Sequence, residues 1–282
     1  MPIYIGLDIG GTKFMAAAAD TRGNLLRQTQ CPTPYDLDEG VSLLKSMARM
    51  VAGDEPIVAI GASAGGPLDY VNGIVSPLHQ PQWRDVPLKG IFESEFERPF
   101  SVDVDTNAAA LAEYRWGGPS TRLLYLTLST GMGGGFVVDG ELYRGANGVH
   151  PEVGHQLVPY TGSFKRNVIC ACGLEGCLEE LVSGNGIRRL YGKPAEELDP
   201  AEWAEVAANL GMGLRNMVVC YAPDVIAIGG GVAVGGGEAF IAAASQVMAG
   251  GLKLVPAPQV RLSRLGYKTA LYGAVALAMA AG

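Results

Sequence analysis

The chain has 5 cysteines and 3 histidines, and three of the cysteines and one histidine fall within a single stretch, GHQLVPYTGSFKRNVICACGLEGC, residues 154–177. Zinc takes thiolate and imidazole ligands in a tetrahedron, and a structural site closes with four of them. His155, Cys170, Cys172 and Cys177 supply that number, and Gly173 and Gly176 let the backbone turn tightly enough for the sulfurs to converge. The plain alternative is a glycine-rich surface loop with incidental reduced thiols. A catalytic zinc keeps an open position, so a filled set reads as structural, pinning the loop against the segment that starts at Leu178. Cys31 and Cys220 lie far away in sequence and read as small core residues.

Glycine turns are the second source of chemistry. IYIGLDIGGTKFMAAAAD reads as a β-hairpin whose tip carries Gly10 and Gly11, with Thr12 and Lys13 beside them. Backbone amides freed at such a tip can face a phosphate, with a hydroxyl and an ammonium to help. Asp8 next to a phosphate would repel it unless a divalent cation lies between, which points to Mg2+ held through water; an ordinary tight hairpin explains the stretch equally well. LLYLTLSTGMGGGFVVDGELY repeats the pattern, a strand ending near Leu128, a turn over 130–135 that includes Thr130, Gly131 and Gly133, and a strand resuming at Phe136. Two such hairpins in one chain point to a duplicated fold. A third turn, Gly229, Gly230 and Gly231, follows the buried run VIAIGGGVA, where a parallel strand ends, and ligands favour the carboxyl ends of such strands. Neither G-x-x-x-x-G-K-[ST] nor G-x-G-x-x-G is present, which excludes a P-loop enzyme and a typical dinucleotide binder.

One carboxylate sits where these elements meet. In RPFSVDVDTNAAALAEYRWGG, Phe100, Val102 and Val104 alternate with Ser101, Asp103 and Asp105 as in a half-buried strand, and from Thr106 the alanine-rich run reads as a helix closed by Gly117 and Gly118. Asp105 therefore stands at a strand-to-helix junction. It either caps the helix or faces a cleft at the end of the sheet, where it could accept a hydroxyl proton during phosphoryl transfer to an alcohol.

The elements that must hold these groups fit a chain of 282 residues with 48% hydrophobic content, more than one core supports comfortably, so two lobes are expected. The balance of 21 basic against 28 acidic residues, net −7, argues against nucleic acid and anionic membranes as partners. The start has no leader pattern, and no apolar run reaches the roughly 18 residues of a membrane span, so the expected location is cytoplasmic. In that reducing compartment clustered cysteines serve as metal ligands or catalytic thiols more often than as disulfides.

LDIGGTK, DTNAAALAE, LSTGMGGG, EVGH, CACGLEGCLE and IAIGGG together resemble the ROK family of sugar kinases and repressors, over essentially the whole chain. The resemblance implies an α/β, two-lobed, actin-like ATPase fold of the duplicated ribonuclease H-like type. Its lobes would be residues 1–115 with 266–282, and 116–265 carrying the zinc loop, hinged around a cleft. It implies ATP-dependent phosphorylation of a hexose, at the C6 hydroxyl, by a glucokinase-like enzyme, with fructokinase or N-acetylhexosamine kinase as alternatives. A sugar sensor without catalysis is the rival from a different class, and polyphosphate is the alternative donor. The acidic composition argues against the repressor branch.

Carried over residue by residue, the resemblance makes Asp105 the catalytic base and Asn107 its support. Glu152, His155 and Glu179 become sugar ligands, and Gly65 and Gly66 line the sugar cleft. Asp8, Gly10, Gly11, Thr12, Lys13, Thr130, Gly131 and Gly133 attend the phosphates and Mg2+, with Gly229, Gly230 and Gly231 near the adenosine. His155 would bind zinc through one ring nitrogen and sugar through the other, so that the metal stiffens the sugar loop. A homodimer or homotetramer is implied as well. Three features depart from the glucokinase pattern: Val104 stands where those enzymes carry Asn, DVDTN and HPEVGH are similar to the fructokinase branch, and the segment between His155 and Cys170 is longer than usual.

Overall fold

The computed structural model describes residues 1–160, 162 and 169–282; the expected extra length between His155 and Cys170 falls largely outside the described residues. The chain divides into two compact units, Met1–Trp116 with Lys268–Gly282, and Gly117–Tyr267.

In the first unit β1 (Ile3–Ile9) and β2 (Lys13–Ala19) form an antiparallel hairpin, and β3 (Leu25–Pro32) pairs with β2. α1 (Leu37–Ala52) starts at Asp36, whose carboxylate accepts the Glu39 amide N–H and so satisfies one of the open donors of the first turn. β4 (Ile57–Ala64) runs parallel to β1, and a small sheet of β5 (Leu68–Asp69), β6 (Ile74–Val75) and β7 (Val86–Pro87) follows. α2 (Leu88–Phe96) leads to β8 (Phe100–Val104), parallel to β4, and then to α3 (Asp105–Trp116). The five-stranded order is β3-β2-β1-β4-β8. Ile5, Leu7, Phe14, Leu44 and Trp83 are fully buried in the core on the α1 side. The expected alternation in β8 fails at Asp103, which is only 2% exposed. The chain's last helix, residues 269–281, packs against this strand together with α2 and α3, and every residue of it except half-buried Ser101 is buried, so the period-2 signal does not report burial there.

The second unit repeats the plan. β9 (Arg122–Leu128), β10 (Met132–Val138) and β11 (Glu141–Leu142) form the antiparallel part. α4 (Leu178–Val182), α5 (Gly184–Tyr191) and α6 (Pro200–Tyr221) precede β12 (Val225–Gly229), and α7 (Gly231–Gly250) connects it to β13 (Gln259–Leu262). The order β11-β10-β9-β12-β13 matches the first sheet position by position, with β12 parallel to β9 and β13 parallel to β12. β10 begins at Met132, four residues before the expected resumption at Phe136, because residues 133–135 pair with Thr127, Leu126 and Tyr125 despite glycine's low strand propensity. α6 opens with a capping box, Asp199 and Glu202 each bonding the other's backbone amide, with Pro200 in the first turn.

α7 corrects the expectation that no segment has the length and apolarity of a membrane span. It is broken at Gly237 and buries Phe240, Ile241, Ala244 and Met248 in the second core, packed on α6. α8 (Thr269–Ala281) belongs to the first unit, where Leu271, Ala274, Val275 and Ala278 pack without exposure against β1, β4 and α3.

Candidate active site and metal-ligand loop

The register of three parallel strands aligns Asp8 with Ser63 and Ser63 with Asp103, one row below the carboxyl end of the first sheet. Ser63 Oγ donates to Asp8 Oδ1 at 3.0 Å. Burial pushes the Asp8 carboxyl from its ordinary 3.8 up to about 6; the Ser63 hydrogen bond and the Lys13 charge oppose the rise, and the charge of Asp105 adds to it. The β1–β2 turn beside it is tied down, with Gly10 N–H donating to Lys13 C=O at 3.1 Å and Thr33 Oγ donating to Gly10 C=O at 2.7 Å. Gly11 and Thr12 are exposed at its tip.

Asp105 is exposed at the first position of α3, its Oδ1 accepting the adjacent Thr106 N–H. Its effect on Asp8 places the two carboxylates within electrostatic reach of one another. Asn107, in the first turn of the same helix, is buried, and its amide Nδ2 donates to Asp103 Oδ1 at 3.0 Å. Asp103 Oδ1 also accepts Val104 N–H at 2.7 Å. Sequence reasoning missed Asp103 and Ser63. The available signal was a charged residue between two apolar neighbours, Val102 and Val104, and alternation assigned that residue to solvent. Val104 is buried with a methyl group facing Gly66, 3.4 Å from where a Cβ would stand on that glycine, so an apolar group fills the place next to the Gly65–Gly66 turn.

In the second unit the β9–β10 turn closes through Ser129 N–H to Gly131 C=O at 2.9 Å. Gly230 has φ +92 and lies so close to Leu128 C=O that a side chain there would collide with it. Thr130 and Gly231 line one cavity of about 190 Å3 together with Ser129, Gly184, Asn185 and Arg188. Asn185 and Arg188, both on α5, were not singled out from the sequence. Glu152 and His155 line a second cavity of about 570 Å3, whose opposite wall is α6 from Arg215 to Tyr221. Glu179 is not among its lining residues; its carboxylate turns to the β9–β10 turn, where Oε2 accepts Met132 N–H at 2.8 Å.

The four candidate metal ligands converge. Their donor atoms lie within 4.8 Å of one another, with Cys170 Sγ 3.5 Å from His155 Nδ1 and Cys172 Sγ 3.5 Å from Cys177 Sγ. Because Nδ1 faces the sulfurs, Nε2 points away from them. Burial pushes the Cys177 thiol up to about 12 and raises Cys170, whereas the Leu174 amide lowers exposed Cys172. Cys31 is half-buried and packs against the edge of the first core, whereas Cys220 is exposed and is not the core residue expected from its isolation. Cys220 lies off the face of α6 that packs on the core, which runs through Leu214, Met217, Val218 and Tyr221.

The ROK family model matches residues 4–281. A glucokinase of Streptomyces coelicolor is 37% identical over 216 residues, which are 76% of this chain and 66% of that protein. Among solved structures, a ROK hexokinase from Thermus thermophilus superposes with a TM-score of 0.86 at 34% identity, covering 98% of this chain and 97% of its own. A ROK family glucokinase from Streptomyces griseus, solved with glucose and AMPPNP, gives 0.78 at 29% identity and covers 98% of this chain and 99% of its own. With its two matching sheets, its paired glycine turns and this likeness over nearly every residue, the chain belongs to the ROK family and has the actin-like ATPase fold.

Proposed function

We propose that the protein is a hexose kinase of glucokinase type that moves the terminal phosphoryl group of ATP to the C6 hydroxyl of its sugar. The observation that carries this reading is Asp105, an exposed carboxylate opening α3 at the carboxyl end of β8, with Asp8 within its electrostatic reach. Asp105 takes the hydroxyl proton as the sugar oxygen forms its bond to phosphorus, and the bond from phosphorus to the bridging oxygen breaks, leaving ADP. Asn107 fixes the first turn of α3 beneath the base. Glu152, His155 and Glu179 accept and donate to sugar hydroxyls, a set that discriminates stereochemistry because any unmatched buried partner is costly. Gly10, Gly11, Thr12 and Lys13, with Thr130, Gly131 and Gly133, cradle the phosphates, and Gly229, Gly230 and Gly231 lie towards the adenosine, Gly231 lining the cavity that Asn185 and Arg188 also line.

Asp8 fits Mg2+: its ionised form is penalised by burial and has a single hydroxyl donor from Ser63, a deficit that a cation arriving with the nucleotide offsets. When bound, such an ion neutralises phosphate charge. The donor set His155, Cys170, Cys172 and Cys177 fits a structural zinc, with sulfur spacings of tetrahedral size and no position left for water. The lobe boundaries, a cytoplasmic location and a homodimer or homotetramer complete the proposal, the location supported by five unpaired cysteines.

A fructokinase reading is supported by the DVDTN and HPEVGH stretches and, in the structure, by the Val104 methyl group against Gly66 where a glucokinase asparagine would offer a hydrogen bond. A coupled ADP assay across glucose, fructose, mannose and their N-acetylated amines, with ATP against polyphosphate, tests both. Glucose-dependent ADP formation with the highest kcat/KM supports the first reading, and fructose in that place supports the second. Sugar binding with no turnover of any donor would leave a sensor.

A further inference from the structure

The β9–β10 turn is held on both sides by one short segment of chain. Gly184 N–H donates to Ser129 C=O at 2.7 Å and Asn185 N–H to Thr130 C=O at 3.1 Å, while on the other side Met132 N–H donates to Glu179 Oε2 at 2.8 Å. Glu179 Oε2 also lies 3.0 Å from where a Cβ would stand on Gly131, so the carboxylate fills the space under the turn. The segment that carries these partners is itself stiff. Ser183 N–H donates to Glu179 C=O at 2.9 Å, Ser183 Oγ caps α5 by accepting Gly186 N–H at 3.1 Å, and the buried Glu180 carboxylate is held by Arg189 Nε at 2.8 Å. On the far side of the turn, Gly184, Asn185 and Arg188 line the cavity of about 190 Å3.

We propose that Glu179 is a positioning residue for the nucleotide: through Met132 N–H it fixes the phosphate turn, a role separate from any contact with sugar. A backbone amide at the first residue of a strand needs an acceptor, and an ionised carboxylate is the strongest one available to it. Remove it and the turn keeps its two carbonyl ties to α5 but loses the one that sets the direction of its amides. The proposal rests on the kinase reading above, since it assumes that the turn meets a nucleotide phosphate.

The test is titration of the full chain with Mg-ADP in the absence of sugar, for the wild type, Glu179→Ala, Glu179→Asp and Glu179→Gln. The alanine variant, and the aspartate variant whose carboxylate is one methylene too short, should weaken ADP binding about tenfold, the cost of one charge-assisted hydrogen bond. The glutamine variant keeps a carbonyl acceptor in place and should bind ADP within about threefold of wild type. Steady-state kinetics at saturating sugar should show the same order in the nucleotide KM. ADP affinity unchanged in both the alanine and the aspartate variants overturns the assignment. Equal weakening in the glutamine variant also overturns it, since the accepting atom is then not what matters. A wild type that binds no ADP removes the kinase reading itself, a result distinguishable from either. Circular dichroism identifies a variant that has not folded, and the aspartate and glutamine pair, which change least volume, then decide.

Discussion

Ser63 Oγ is the hydrogen-bond donor to Asp8 Oδ1, at 3.0 Å, and burial outweighs it, leaving the Asp8 carboxyl at about 6 instead of 3.8. A carboxyl whose pKa is raised on folding favours the folded state at low pH, fully below 3.8, and that contribution is lost as pH rises through 6. The full difference corresponds to about 3 kcal/mol. Asp8→Asn removes the ionisation, so the variant should gain stability over the wild type between pH 4 and pH 7.5 by roughly that amount, while losing Mg-nucleotide binding. Urea denaturation of both proteins across this range checks it; parallel stability curves would contradict it.

Asp103 Oδ1 accepts from both Val104 N–H and Asn107 Nδ2, inside a covered strand. Asp103→Ala leaves the buried Asn107 amide without an acceptor and should destabilise the chain by about 1–3 kcal/mol, with a lower kcat because the first turn of α3 is loosened. Asp103→Asn retains an acceptor and should recover most of the stability. Thermal denaturation together with turnover separates the two variants.

Val104→Asn restores a polar side chain beside Gly66. It should raise kcat/KM for glucose relative to fructose about fivefold, the value of one net hydrogen bond. An unchanged ratio would show that this position does not face the sugar.

Cys172 is exposed and has a lowered pKa, so its loss creates no cavity and acts through the ligand set alone. Cys172→Ala should reduce bound zinc from one ion per chain to a small fraction, measured by elemental analysis, and should raise the sugar KM severalfold. Full sugar affinity in metal-free protein would detach the metal loop from recognition.

Much of the architecture was legible in local pattern. The two glycine-tipped hairpins, the strand ending at Gly229, the start of α3 and the convergence of the four metal-ligand candidates all depend on residues close in sequence or of rare type. What escaped the reading depends on partners far along the chain. Asp103 is buried because α8 and α2 pack on β8, residues 133–135 form a strand because β9 supplies the ladder, and Cys220 is exposed because it lies off the face of α6 that meets the core. The bond from Met132 to Glu179 joins residues 47 apart, and no spacing rule for a glycine turn announces which carboxylate will lie beneath it.

Turnover of Asp105→Asn, set beside its sugar affinity measured by calorimetry, tests the role of the base most directly. Asparagine preserves the shape of the side chain and removes its ability to take a proton, so kcat should fall about 10²- to 10⁴-fold while hexose binding stays within a few fold of wild type. Turnover equal to wild type would contradict the assignment of Asp105 and with it the chemistry built around that carboxylate.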